Sequence, residues 1–157
     1  MTKLKLNNRG FGEDAVHVWT DGSCVPNPGK GGWAAVIRWR DGRVEERTGG
    51  DAETTNNRME LTAAIRALEA LPAGCQVVLH TDSEYLAKGI TLWLPGWERR
   101  GWRTADGSPV RNADLWVSLI KATSTRQVEW RWVRGHADVE MNVRADRLAN
   151  AARKAAI

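Results

Sequence analysis

The chain has 157 residues, 42% of them hydrophobic, which gives room for one domain with its own core. It contains no apolar run near the roughly 18 residues of a membrane span, and no apolar signal stretch opens it, so a cytoplasmic protein is expected. A net charge of +4 and a pI near 9.4 favour an anionic partner such as nucleic acid without requiring one.

Residues 1–14 read as a flexible tail and 15–157 as a single domain. Residues 15–24, 32–40 and 43–50 read as three strands. The glycine- and proline-rich link from Asp21 to Gly32 is too short for a helical crossover, so the first pair is antiparallel. Asp41-Gly42 signals a two-residue hairpin between the second and third. Asn57 to Leu71 follows a helical period, with Leu61, Ala64, Ile65 and Leu68 on one side and Pro72 and Gly74 as the stop. Residues 75–82 read as a fourth strand, and Ser83 opens a helix to about Leu94. Asn112 to about Thr123 is another helix, carrying Leu115, Trp116, Leu119 and Ile120. In Gln127–Val133, Val128, Trp130 and Trp132 face one way, giving a fifth strand; the last helix runs from about Glu140 to Ala155. This order predicts an α/β fold. Its five-stranded mixed sheet, the first three strands antiparallel and the rest parallel, carries helices on both faces. Strands one and four then lie side by side, bringing Asp21 next to Asp82.

Four carboxylates have informative neighbours. Asp21 and Asp82 each follow an apolar run that stops on Thr-Asp and turns, and ligand sites form beyond the carboxyl ends of parallel strands. Glu60 shares its helical stripe with Ala64, Ala67, Leu68 and Leu71, and Asp146 lies among Val143, Ala149 and Asn150. Each acid also has an ordinary reading: Asp21 as a turn residue, Asp82 as a helix cap, Glu60 in a capping box with Asn57, Asp146 as a solvated helix residue. Together, four converging acids would oppose folding unless cations sat between them. Hard oxygen ligands suit magnesium, and a pair of such ions supports in-line phosphoryl displacement by water. His136, just past the last strand, is either a solvated loop residue or a proton carrier near those acids. Cys24 and Cys75 lack metal-type spacing and read as free thiols.

At these residues the chain resembles type 1 ribonucleases H of the bacterial kind. The matching segments are Thr20-Asp-Gly-Ser-Cys24, Asn27-Pro-Gly29, Thr54-Thr-Asn-Asn-Arg-Met-Glu-Leu61, Thr81-Asp-Ser83, Trp97 through Gly101-Trp102, Asp114-Leu-Trp116, Gly135-His136 and Asp146. The resemblance implies a ribonuclease H-like fold and an endonuclease that cuts the RNA strand of RNA–DNA hybrids, leaving 3′-hydroxyl and 5′-phosphate ends. It implies that Asp21, Glu60, Asp82 and Asp146 bind Mg2+, with Mn2+ as a substitute, and that His136 assists turnover. By the same resemblance Cys24, Asn56 and Asn57 face the minor groove, where 2′-hydroxyls distinguish RNA, and Asn27 and Thr55 hold a DNA phosphate. Trp93, Trp97, Arg99, Arg100 and Trp102 form the basic protrusion that grips the DNA strand.

Aromatics interleaved with cations suit stacking and phosphate contact, although Trp93 and Trp97 equally fit a core stripe. Three departures put a negative charge near phosphate: Glu53 and Glu84 stand where arginine and glutamine are common, and Glu98 lies inside the protrusion. They predict a weaker hybrid grip with the chemistry intact. No obligate protein partner is expected, and the chain is read as a monomer. The rival readings are a resolvase or integrase core, which would lack Asn56-Asn57 and the Trp/Arg stretch, and a non-catalytic hybrid-binding protein, which would not need four acids.

Overall fold

The structure, a computed structural model, describes Lys5–Leu6 and residues 14–133 and 139–157. In chain order the elements are β1 (Lys5–Leu6), β2 (Val16–Cys24), β3 (Gly29–Arg38), β4 (Val44–Thr54), α1 (Asn56–Glu69) and β5 (Gln76–Thr81). They continue with α2 (Glu84–Lys88), a π-type turn (Gly89–Trp93), α3 (Leu94–Arg99), α4 (Ala113–Ser124), β6 (Gln127–Trp132) and α5 (Val139–Ala155).

The strands form one sheet in the order β1-β6-β5-β2-β3-β4. The β2–β3 and β3–β4 pairs are antiparallel, and β2–β5 and β5–β6 are parallel. These are the five strands expected from the sequence. The two-residue β1 adds a parallel edge beside β6, within the segment read as a tail.

Strand alternation sends side chains to two faces. On one, Val16, Val18, Ala35, Ile37, Val77, Leu79 and Trp130 pack with Leu61 and Leu68 of α1 and Trp116 and Leu119 of α4. A fully buried Leu such as Leu61 or Leu79 contributes about 1.5–3 kcal/mol through the area it removes from water. On the other face, Trp19 and Val36 pack with Ala145 of α5, flanked by Met141 and Leu148.

Three local expectations are corrected. The β3–β4 connection is a three-residue hairpin, not two: Trp39 and Arg43 close the ladder, and Gly42 takes a left-handed φ of 91°. Gly42 N–H donates to the Trp39 carbonyl, and the Asp41 side chain accepts from Arg43 N–H. The helix opened by Ser83 does not stop near Leu94. It passes through the π-type turn, where Leu94 N–H reaches back to the Gly89 carbonyl, and restarts as α3. Pro95 falls in the first turn of α3, where its missing N–H costs nothing, so proline here opens a segment rather than closing one. The cap of α1 is also not an asparagine. Thr55 Oγ1 accepts from Arg58 N–H at 3.2 Å, which leaves the side chains of Asn56 and Asn57 in the first turn without a capping duty.

Gly32 of β3 sets how close α5 comes to the sheet. A Cβ there would run into the Arg153 amide nitrogen and the Ala149 carbonyl oxygen of the helix backbone. Gly32→Ala is therefore expected to cost about 1–3 kcal/mol by forcing α5 outward. Urea denaturation checks this, and an unchanged midpoint at unchanged slope would mean that the helix does not rest on that strand.

Candidate active site

The site begins with register. Val16 lies opposite Val77 and Trp19 opposite His80 in the parallel β2–β5 pair, and the same register carried two residues further sets Asp21 opposite Asp82. β5 ends at Thr81, whereas β2 continues to Cys24 on its β3 side, with Asp21 opposite Ala34. Asp21 is thus inside the strand read over residues 15–24 and not in the turn that was its ordinary alternative, which fixes its backbone more firmly. Asp82 does not cap the following helix; Ser83 does, its hydroxyl accepting from Leu86 N–H at 3.1 Å.

Glu60 arrives from the other side. Its helix can approach β2 because Gly22 has no side chain: a Cβ there would lie 2.6 Å from Glu60 N and 2.7 Å from Met59 C. Asp21, Glu60 and Asp82 each then offer a carboxylate oxygen within 4.8 Å of the others. Asp21 and Glu60 are both only 6% exposed, and Glu60 Oε1 has no hydrogen-bond partner among the described residues. With Thr55 as the cap of α1, Glu60 and Asn57 form no capping box. A buried, unpartnered carboxylate oxygen facing two more acids is costly as it stands and fits a hard divalent cation, which takes such oxygen ligands.

The electrostatics agree. Burial, then the charge of Asp82, pushes the Asp21 carboxyl from its ordinary 3.8 up to about 8. Burial, then Asp21 and Asp82, raises Glu60 well above the carboxylate range. Burial also raises Asp82, against a hydrogen bond from the Asn142 amide of α5. Asp146, one helical turn beyond Asn142, is exposed and lies outside the 4.8 Å trio, but its carboxyl is near enough to raise that of Asp21 further. His136 lies outside the described residues. Asn142 was passed over in the sequence, although its four-residue spacing from Asp146 puts both on one helical stripe.

The residues expected at a substrate surface fall into two groups. Around the start of α1, Asn27 Oδ1 accepts from Asn56 N–H at 3.0 Å, tying the β2–β3 loop to the helix. Cys24 is buried, its thiol directed at the carbonyls of Pro26 and Thr54. In the second group, Trp93, Trp97 and Trp102 form a half-buried aromatic chain, with centroids 5.7 Å apart for Trp93–Trp97 and 6.3 Å for Trp97–Trp102. Trp97 meets the fully buried Trp116 edge-on at 5.5 Å. These tryptophans are as much packing as surface, while Arg99 and Arg100 are exposed. Arg58 links the two groups through a paired contact with Asp114 at 2.9 and 3.1 Å and a bond to Asn112. Asn112 in turn donates to the Tyr85 hydroxyl.

A mixed α/β sheet with carboxylates converging beyond its parallel strands is an arrangement that can hold divalent cations for chemistry at phosphate esters. The family model described as RNase H matches residues 13–154, so the chain belongs to the RNase H family. It is 60% identical over 138 residues to a ribonuclease H of Granulibacter bethesdensis, covering 88% of this chain and 91% of that protein. It is 60% identical over 141 residues to one of Acidiphilium cryptum, with 89% and 87% covered. Among solved structures it is similar to LC9-RNase H1, a type 1 RNase H with the type 2 active-site motif. That match has a TM-score of 0.79 and 33% identity, and covers 95% of this chain and 76% of the other. It is also similar to LC11-RNase H1 in complex with RNA/DNA hybrid, at TM-score 0.68 and 25% identity, covering 89% and 97%. No helix among the described residues is long and apolar enough to cross a membrane.

The raised acids make the cation-free protein sensitive to pH. A carboxyl whose folded pKa exceeds its unfolded one stabilises the fold fully only below the unfolded value, here 3.8, and that stability is lost as pH rises toward about 8. With a chelator present, the melting temperature should fall between about pH 5 and about pH 8. Excess divalent cation should remove most of the fall, and Asp21→Asn should reduce it without cation, Glu60 and Asp82 supplying the remainder. A melting temperature that rises over this range in chelator would contradict the assignment.

Proposed function

We propose that the chain is an endoribonuclease that hydrolyses the RNA strand of RNA–DNA hybrids, with Asp21, Glu60, Asp82 and Asp146 as the set that holds divalent cations. The observation that carries this reading is the carboxylate trio within 4.8 Å, two of its members buried and one Glu60 oxygen unpartnered, in a chain of the RNase H family. The hybrid-bound relative supports the substrate class. Mg2+ is the expected ion, with Mn2+ as a substitute. When bound, a pair of such ions would supply activation of the attacking water and charge stabilisation at the leaving oxygen of an in-line displacement, giving 3′-hydroxyl and 5′-phosphate ends.

The chain's own residues do the rest. Asp21 and Glu60, fixed by a strand and a packed helix, hold their carboxylates with little freedom, while exposed Asp146 completes the set from the solvent side. Thr55 Oγ1 already accepts from Arg58 N–H, so its O–H is left to donate to a DNA phosphate beside Asn27. Asn56 and Asn57, freed from capping, present amides to 2′-hydroxyls. Cys24, buried, shapes the loop beneath them rather than offering its thiol. Arg99 and Arg100 contact backbone phosphates from the protrusion, where Trp93, Trp97 and Trp102 stiffen the segment and offer edges to sugars. His136 exchanges a proton with the leaving oxygen. The region from residue 15 onward works as one domain, as a monomer in the cytoplasm. Glu53, Glu84 and Glu98 are exposed and form none of the salt bridges found among the described residues, so their charge is felt by an approaching phosphate and weakens the grip.

The test is incubation with matched RNA–DNA, double-stranded RNA and double-stranded DNA, with and without Mg2+. Cleavage confined to the RNA of the hybrid and dependent on Mg2+ is expected; equal cutting of double-stranded DNA would refute the reading. Asp21→Asn should keep hybrid binding and lose more than about a hundredfold in rate, as expected when a cation ligand is lost. His136→Ala should slow turnover by about a hundredfold without abolishing it, the lower end of what a positioned proton carrier contributes.

A further inference from the structure

Asp146 is the exposed member of the proposed set, so its place depends on how α5 is seated. One stripe of that helix meets the sheet in three successive rungs. Asn142 hydrogen-bonds the Asp82 carboxyl, and the Asp146 carboxyl comes near that of Asp21. The third rung involves no acid. Ser23 lies two residues beyond Asp21 on the same face of β2, and Asn150 and Arg153 lie four and seven beyond Asp146 on the same stripe. Ser23 Oγ donates to Asn150 Oδ1 at 2.7 Å and accepts from Arg153 Nε at 3.0 Å. Arg153 also reaches Asn150 Oδ1 at 3.4 Å, and Asn150 Nδ2 donates to the main-chain carbonyl of Asp146 at 3.1 Å.

The Ser23 hydroxyl is buried, and α5 uses it as both donor and acceptor. Sliding the helix by one residue, or rotating it, would break both bonds and strand a buried hydroxyl, at a cost of about 1–3 kcal/mol. The backbone contact at Gly32 fixes how close the helix comes but not its rotation. Rotation is what points Asp146 toward or away from Asp21.

We propose that Ser23, Asn150 and Arg153 are positioning residues that lock the rotation of α5 on β2 and so hold Asp146 where it can share a cation with Asp21. This rests on the assignment of Asp146 to the cation-binding set. Partners of this kind, one step behind a ligand, typically change metal affinity by about 10–100-fold when removed.

The experiment is calorimetric titration of Mg2+ into the full chain and into Ser23→Ala, Asn150→Ala and Asp146→Asn, paired with steady-state kinetics on an RNA–DNA hybrid. Ser23→Ala and Asn150→Ala are expected to weaken Mg2+ binding by about 10–100-fold. Their kcat should fall at limiting Mg2+ and recover at saturating Mg2+, and KM for the hybrid should stay unchanged. Asn150 is half-buried on the helix surface, so its variant carries the test if Ser23→Ala fails to fold. Wild-type Mg2+ affinity in Asn150→Ala, whatever its melting temperature, would overturn the positioning role while leaving the hydrolase reading intact. No Mg2+ binding by the unaltered chain would overturn both.

Discussion

Three carboxylates held within 4.8 Å of one another, two of them almost wholly buried, are the constraint around which the rest of the domain is arranged. Each like-charged pair repels by about 3–4 kcal/mol at an effective dielectric of 20, and burial adds to that. A fold stable by only about 5–15 kcal/mol cannot carry three such charges uncompensated. Either protons or cations must neutralise them, and the upward shifts of Asp21, Glu60 and Asp82 show the proton-bound alternative. A cation converts this liability into a binding site that is rigid before anything binds.

The sheet and its helices make that rigidity possible. The β2–β5 register aligns two acids, and the longer β2, braced by β3, keeps Asp21 from swinging. Gly22 admits α1 close enough to deliver Glu60, and Gly32 admits α5, which brings Asn142 and Asp146. Around this centre, the Arg58–Asp114 pair and Asn112 connect the start of α1 to the tryptophan-lined segment. The surface proposed to meet one strand of a hybrid is thus mechanically joined to the surface proposed to meet the other.

Much of this was legible in the chain because its signals are local. Thr-Asp after an apolar run located Asp21 and Asp82, and the stripe shared with Ala64 and Leu68 turned Glu60 toward the sheet. What escaped depended on longer-range competition. The continuation of the helix past Leu94 has no local signal because the π-type turn before it is a tertiary accommodation: Gly89 lies directly against Trp116, which a side chain would not allow. Thr55 outcompeted its asparagine neighbours for the cap through backbone geometry, with an extended φ of −133°. The third rung, Ser23 with Asn150 and Arg153, joins residues more than 120 positions apart and has no sequence signature at all.

The most direct measurement is calorimetry of Mg2+ binding near neutral pH in two buffers of different ionisation enthalpy. If cations and protons compete for the same buried carboxylates, the observed heat will depend on the buffer and will report release of about one proton or more per chain. Binding heat that is identical in both buffers would mean that the acids are already ionised without a cation, and the electrostatic basis of the site would fall.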